Sequence, residues 1–163
     1  MLETELIIWS LLIAIGVSDA QKHKIPNKAV LMLLVAVTAN VIYNPATSGL
    51  DHLYGGLVAF AVCFALYLFK AMAGGDVKLL AVVGTWLGLS NLGEASTGII
   101  LAGGIVGIFY LMLHVSSTSV ALSHQIKGYC SEKVTPGFRS NKPLVIPFAP
   151  IIVIGLAYFS YTH

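Results

Sequence analysis

Ala71-Met72-Ala73-Gly74-Gly75-Asp76-Val77-Lys78-Leu79-Leu80 places a carboxylate and an amine at the mouth of a long apolar run, directly after paired glycines. The reading of this border depends on the solvent around the run. The chain has 163 residues, of which 57% are hydrophobic and 10% charged, with 16 glycines. Its mean hydropathy is +0.87. Soluble domains carry roughly 25% charged residues to cover their surface. Here lipid must be the solvent for much of the surface, and frequent glycine suits helices that approach closely within it. A formal net charge of +2 is too small to point to nucleic acid.

Outward from Asp76, span 4 is expected to run to about Leu92, with Asn91-Leu92-Gly93-Glu94 as its boundary. Span 5 lies between Thr97 and Val115, where Gly103 and Gly107 form a GxxxG thickened by Gly104. Before the opening stretch, span 3 covers Leu53 to Phe69, entered by Asp51 and His52. Span 2 covers Ala29 to Ile42, followed by a turn-rich Tyr43 to Gly49. Span 1, Leu6 to Ser18, is short for a crossing of about 20 residues, and Thr4, Glu5 and Asp19 extend it at the two interfaces. Glu3 and Glu5 precede its apolar run and the basic residues follow it, the reverse of a signal peptide, so it is expected to be a retained span. Pro26 closes the basic loop after it and suits the first turn of span 2. Ser116 to Lys142 is the longest polar region, with an amphipathic helix expected over Val120 to Tyr129. Span 6, Leu144 to Tyr161, is interrupted near its start by Pro147 and Pro150.

The expected fold is an all-α polytopic membrane protein of about six helices, a single domain over residues 1–163. Its nine Lys and Arg residues then fall on one side: Lys22, Lys24 and Lys28; Lys70 and Lys78; Lys127, Lys133, Arg139 and Lys142. Glu3, Glu5, Asp51 and Glu94 fall on the other. By the positive-inside rule the basic loops are cytoplasmic and both termini lie outside. A four-span arrangement that buries one hairpin is the competing topology, because several spans are short.

This topology returns the chain to its starting side between Asp19, at the end of span 1, and Asp76, at the start of span 4. Both carboxylates therefore lie at the cytoplasmic border. Ionised groups there need water, a partner or a substrate. Two carboxylates within a few ångströms resist ionising together and share a proton. The ionised member can take a proton from water while the protonated member polarises and protonates a peptide carbonyl. That chemistry is hydrolysis without a covalent acyl-enzyme. Taken singly, Asp19 reads equally as a helix-end charge paired with Lys22 or Lys24, and Asp76 as an N-cap. A small transporter or channel binding cations at the same carboxylates, or a non-catalytic assembly subunit held by glycine-rich helices, is also compatible with these residues. Lys78, two positions from Asp76, does not share its helical face and reads first as a cytoplasmic anchor, with electrostatic support of the site or a lipid-phosphate contact as alternatives; Asn27 reads as a cap or brace of the first loop before a substrate contact. Cys63 and Cys130 make no CxxC pair, the histidines lack metal-ligand spacing, and Gly74-Gly75 lacks the rest of a phosphate loop. No metal or cofactor is expected.

Asp19 followed by Ile25-Pro26-Asn27, then Gly74-Gly75-Asp76-Val77-Lys78-Leu79-Leu80, and Pro147-Phe148-Ala149-Pro150 entering the last span together resemble the type IV prepilin peptidase family of GxGD membrane aspartyl proteases. The likeness covers nearly the whole chain, and is greatest to the small, peptidase-only branch found with tight-adherence or Flp pilus systems. It implies that Asp19 and Asp76 are the catalytic pair, that Gly75 is the glycine immediately before the second aspartate, and that Gly74, Gly75, Asn27 and Lys78 are supporting or substrate-proximal residues. It implies cleavage of a short basic leader, after a glycine, from prepilins that continue as an apolar helix, at the cytoplasmic face of the bacterial inner membrane. Phospholipid phosphates together with Asp19 and Asp76 would offset the mismatch between basic loops and basic leader. The chain departs from the pattern at Ala73, which stands where GxGD has its first glycine; its methyl would hinder a backbone needing positive φ or close contact. The cysteine-paired cytosolic region of larger, methylating relatives is not seen, so methylation is not expected.

Overall fold

A computed structural model describes residues 2–43, 48–117 and 147–162. A backbone in lipid must satisfy its own hydrogen bonds, and the long apolar runs do so as helices. These are α1 (Leu2–Lys22), α2 (Asn27–Tyr43), α3 (Gly49–Leu68), α4 (Gly74–Ser117) and α5 (Ala149–Thr162). Thr4–Lys22, Gly49–Leu68 and Gly74–Tyr110 are long and apolar enough to cross a membrane, whereas Asn27–Tyr43 and Ala149–Thr162 are shorter apolar helices. Large apolar side chains such as Leu31, Ile42, Phe69, Ile100 and Ile105 are exposed on the outside, as lipid requires. The chain is thus an all-α polytopic membrane protein.

Residues 1–103 and 147–163 form one compact unit, and residues 104–146 a second. Of the second, residues 104–117 are described and are helical. The expected amphipathic helix over Val120–Tyr129, Cys130 and the start of span 6 at Leu144 lie outside the described residues.

α4 contains the largest departure from expectation. The break between the fourth and fifth spans falls at Gly88 (φ 77, ψ 168), not at Asn91 to Glu94, which are helical. Only a residue without Cβ reaches that backbone at little cost. The Asp51 side chain secures the turn: its Oδ1 accepts the Ser90 hydroxyl at 3.0 Å and its Oδ2 the Ser90 N–H at 3.5 Å. A carboxylate thus satisfies an amide at the start of the second arm. His52, buried beside it, lies with Nδ1 2.9 Å from the Thr85 carbonyl oxygen. The chain reverses here. Before Gly88, Asp76 is within electrostatic reach of Asp19; after it, Gly103 returns to Ile151, next to the start of α5.

The helix starts also differ from the expected spans. α3 begins at Gly49, so Asp51 and His52 sit inside it. α5 begins at Ala149, because Pro147 cannot continue a helix backwards while Pro150, lacking an N–H, fits a first turn. α3 ends with Lys70 at φ 57. Ala71 N–H donates to the Leu66 carbonyl and Lys70 N–H to that of Tyr67, both at 2.9 Å, which satisfies the last carbonyls of the helix.

One face each of α1, α2, α4 and α5 meets in a common core. Ile8, Leu12 and Ile15 of α1 pack with Leu33 and Val37 of α2, Leu79 and Val83 of α4, and Ile152 and Leu156 of α5. Away from the aspartates, the Asn40 amide donates to Thr4 Oγ1 at 2.7 Å, and Trp9 meets Trp86 edge to face at 5.7 Å.

Close helix approach is seen at Gly98, in the glycine-rich fifth span, and at glycines outside it. A Cβ on Gly55 would lie 2.5 Å from the Gly84 carbonyl oxygen, and one on Gly155 2.5 Å from the Ile99 Cα. By contrast, Gly104 and Gly107 have no described neighbour within 4 Å, and Gly103 meets only the Ile151 side chain. Among the described residues, the backbone crossings occur at Gly55 with Gly84 and at Gly98 with Gly155. We predict that Gly55→Ala destabilises the protein by about 2 kcal/mol or more, because its methyl collides with backbone. Gly104→Ala should change stability by less than about 1 kcal/mol. Thermal unfolding of the two variants in detergent checks the contrast.

Candidate active site

Asp19 and Asp76 occupy positions where the helical repeat demands core residues. In α1 the buried stripe runs Ile8, Leu12, Ile15 and then Asp19; in α4 it runs Asp76, Leu79 and Val83. Each carboxylate ends an apolar stripe and is turned inward by the spacing that buries its neighbours. Asp19 is 7% exposed and Asp76 9%.

Asp19 is held by a helix far away in sequence. Its Oδ2 accepts the Ala149 N–H at 3.0 Å, one of the amides at the N-terminus of α5 that has no partner within its own helix. Lys22 and Lys24 are exposed, so the buried carboxylate is seated on α5 and not on the lysines that follow it. Asp76 lies in the first turn of α4 but is not its cap. The Ala73 carbonyl takes that place, accepting from Asp76 N–H at 3.1 Å and Val77 N–H at 3.3 Å.

The remaining expected residues form a brace beside the pair. A Cβ on Gly75 would lie 3.2 Å from the Ile25 Cβ, so this glycine lets the loop after α1 approach α4. That contact brings the start of α2 alongside, where Lys78 Nζ donates to Asn27 Oδ1 at 3.2 Å. Lys78 is exposed while Asp76 is buried, in keeping with their separate faces. Gly74 sits against the Tyr67 ring, which a Cβ would meet at 3.5 Å. Ala73 is exposed, and the positive-φ residues among those described are His23, Lys70 and Gly88. The backbone at position 73 therefore makes no demand that alanine fails to meet.

Sequence reading did not identify the Ala149 amide as a partner of Asp19, although the Pro147-Phe148-Ala149-Pro150 stretch was the available signal. Cys63, buried in α3, is also within electrostatic reach of Asp76. It lines an apolar cavity of about 410 Å³ with Val62, Leu66, Met72, Leu80 and Phe148 among others. Among the described residues no three His, Cys, Asp or Glu side chains group as metal ligands would.

Two buried carboxylates from separate helices thus lie within electrostatic reach of each other in an all-α polytopic membrane protein. The pattern of the type IV leader peptidase family matches residues 6–113, and the chain belongs to that family. A prepilin leader peptidase/N-methyltransferase of Bacillus subtilis (strain 168) is 32% identical over 157 residues, covering 91% of this chain and 52% of the relative. The chain thus spans about half the length of that relative. No solved structure matches it.

Removing either end of the Lys78–Asn27 bond should loosen the brace. Lys78→Met and Asn27→Ala are each expected to lower stability by about 0.5–1 kcal/mol, and the double variant by less than their sum. A double-mutant cycle on thermal unfolding in detergent measures this coupling.

Proposed function

We propose that the protein is a membrane aspartic endopeptidase that removes the basic leader from prepilins or pilin-like precursors, with Asp19 and Asp76 as its catalytic pair. The observation that carries the reading is that these two carboxylates, buried on separate helices, come to one end of the bundle in a chain of the type IV leader peptidase family. The family match favours this reading over a transporter or a non-catalytic assembly subunit.

One ionised carboxylate takes a proton from water as the water attacks the scissile carbonyl. The protonated partner donates to the carbonyl oxygen as negative charge develops there. Collapse of the tetrahedral intermediate returns a proton to the leaving amine and frees the two fragments. The pair acts as a unit, so loss of either member removes most of the rate.

The leader would approach from the cytoplasm. Lys22, Lys24, Lys28 and Lys70 are all exposed and belong to the end of the bundle that carries the aspartates, as the positive-inside rule expects of a cytoplasmic face. The same lysines suit phospholipid phosphates. The apolar helix of the precursor would remain in the lipid while its leader reaches the pair. A cytoplasmic-membrane enzyme with both termini outside follows from this orientation.

Co-expression with a prepilin carrying a basic leader, a glycine and an apolar helix tests the chemistry. Mature pilin is expected from the wild type, with Asp19→Asn and Asp76→Asn each leaving precursor and reducing cleavage by about a thousandfold or more. Normal processing by either well-expressed variant would remove the pair from the mechanism. Sidedness is checked in a Cys63→Ser, Cys130→Ser background. A cysteine replacing Asn91 should react with a membrane-impermeant maleimide in intact cells, and one replacing Lys24 only after the membrane is opened. The reverse pattern would invert the orientation.

A further inference from the structure

Asp19 is bonded to the backbone of a helix that sequence separates from it by 130 positions. Resting on the leader-peptidase reading of the pair, we propose that the main-chain N–H of Ala149 is a positioning group for Asp19, and that seating of the first turn of α5 on α1 is therefore a condition for catalysis.

Three observations meet at this point. First, the bond joins buried groups, with Ala149 0% and Asp19 7% exposed, so little water competes for either partner. Second, the donor cannot drift. The Phe148 carbonyl accepts Ile151 N–H at 3.1 Å and Ile152 N–H at 3.2 Å, so Ala149 begins a formed helix and its amide direction is set by that helix. Third, the surface beside the bond is shaped for contact. A Cβ on Gly16 would lie 3.5 Å from Val153 Cγ2 and 3.7 Å from the Pro150 Cα, so α1 and α5 are already at van der Waals distance here and a side chain larger than a methyl at residue 16 would run into α5.

The consequence is a division of the Asp19 carboxylate. Oδ2 is committed to the backbone donor, and among the described residues Oδ1 has no hydrogen-bond partner. One oxygen fixes the plane of the group and the other is left to meet water and Asp76. A carboxylate free to rotate about its terminal torsion would spend little time in a reactive orientation, and small misplacements are costly in rate. The neighbouring prolines, Pro147 and Pro150, have no N–H of their own, so Ala149 supplies a donor that neither can.

The test has one arm that does not depend on cleavage. In ¹⁵N-alanine-labelled protein in detergent, the Ala149 amide should exchange with solvent about tenfold faster in Asp19→Ala than in the wild type. Equal exchange overturns the proposal. The second arm uses turnover of a prepilin. Ala149→Pro deletes the N–H at a position where proline fits a helix start, and should lower kcat about tenfold or more with KM little changed. Ala149→Gly keeps the N–H and should recover most of that loss. Because Ala149 is fully buried, proline there can disturb folding, so Gly16→Ile serves as the second variant. It displaces α5 without altering either bonded group and should also reduce kcat more than it raises KM. Wild-type kcat in a folded Ala149→Pro or Gly16→Ile protein overturns the proposal, as does equal loss in Ala149→Pro and Ala149→Gly. If the wild type cleaves no prepilin, the leader-peptidase reading fails, while the exchange result still decides whether Ala149 holds Asp19.

Discussion

Backbone meets backbone where α3 crosses the first arm of α4, at Gly55 and Gly84, and the rest of the bundle depends on that approach. Lipid tails are as apolar as the side chains they would replace, so burial of leucine supplies little force between helices in a membrane. Close contact and interhelical hydrogen bonds must do so instead. The missing Cβ atoms at Gly55 and Gly84 let α3 lie against α4 near the turn at Gly88, whose positive φ reverses the chain. Gly98 and Gly155 repeat the arrangement between the second arm and α5. Without the reversal, the arms of α4 could not both return to the level of the aspartates.

The same packing makes two buried carboxylates tolerable. An aspartate at the end of an apolar stripe carries a desolvation cost that its surroundings must offset. Asp19 is compensated by a helix N-terminus, whose amide and partial positive charge both suit a carboxylate. Asp76 stands in the first turn of α4, where the same helix-end charge favours an acidic side chain. Both sites lie at helix ends and not at helix centres. On the proposed reading, such a position joins a low-dielectric interior to a border that water and a polar peptide would reach, as carboxylate acid–base chemistry requires.

Much of this was legible in the chain. Hydropathy and the paucity of charge marked an all-α membrane protein, and the alternation of apolar runs placed Asp19 and Asp76 at one end without any structure. The less legible features were those that depend on contacts between distant segments. Asn91-Leu92-Gly93-Glu94 reads as a boundary because it is polar and contains glycine, yet it continues a helix. The break moved to Gly88, where Asp51, distant in sequence, receives Ser90. GxxxG spacing at Gly103 and Gly107 reports which residues share a helix face and not what lies opposite, and the crossings lie instead at Gly55 with Gly84 and at Gly98 with Gly155 among the described residues. The partner of Asp19 was hidden for the same reason: Pro147-Phe148-Ala149-Pro150 marks a helix start, but where its amide lands depends on how α5 docks.

The opening stretch shows how the two glycine positions of its motif differ in physical demand. Position 75 is constrained by space, since Ile25 lies where a β-carbon would project. Position 73 provides a carbonyl to the first turn of α4 and keeps its side chain exposed, with φ outside the left-handed region. A methyl at position 73 therefore meets neither of the obstacles that would demand glycine. A methyl at position 75 would press on Ile25, and through it on the loop that brings Asn27 to Lys78. The packing thus tolerates alanine at the first position and favours glycine at the second: the glycine next to the aspartate admits the neighbouring loop, and the earlier position need only start the helix.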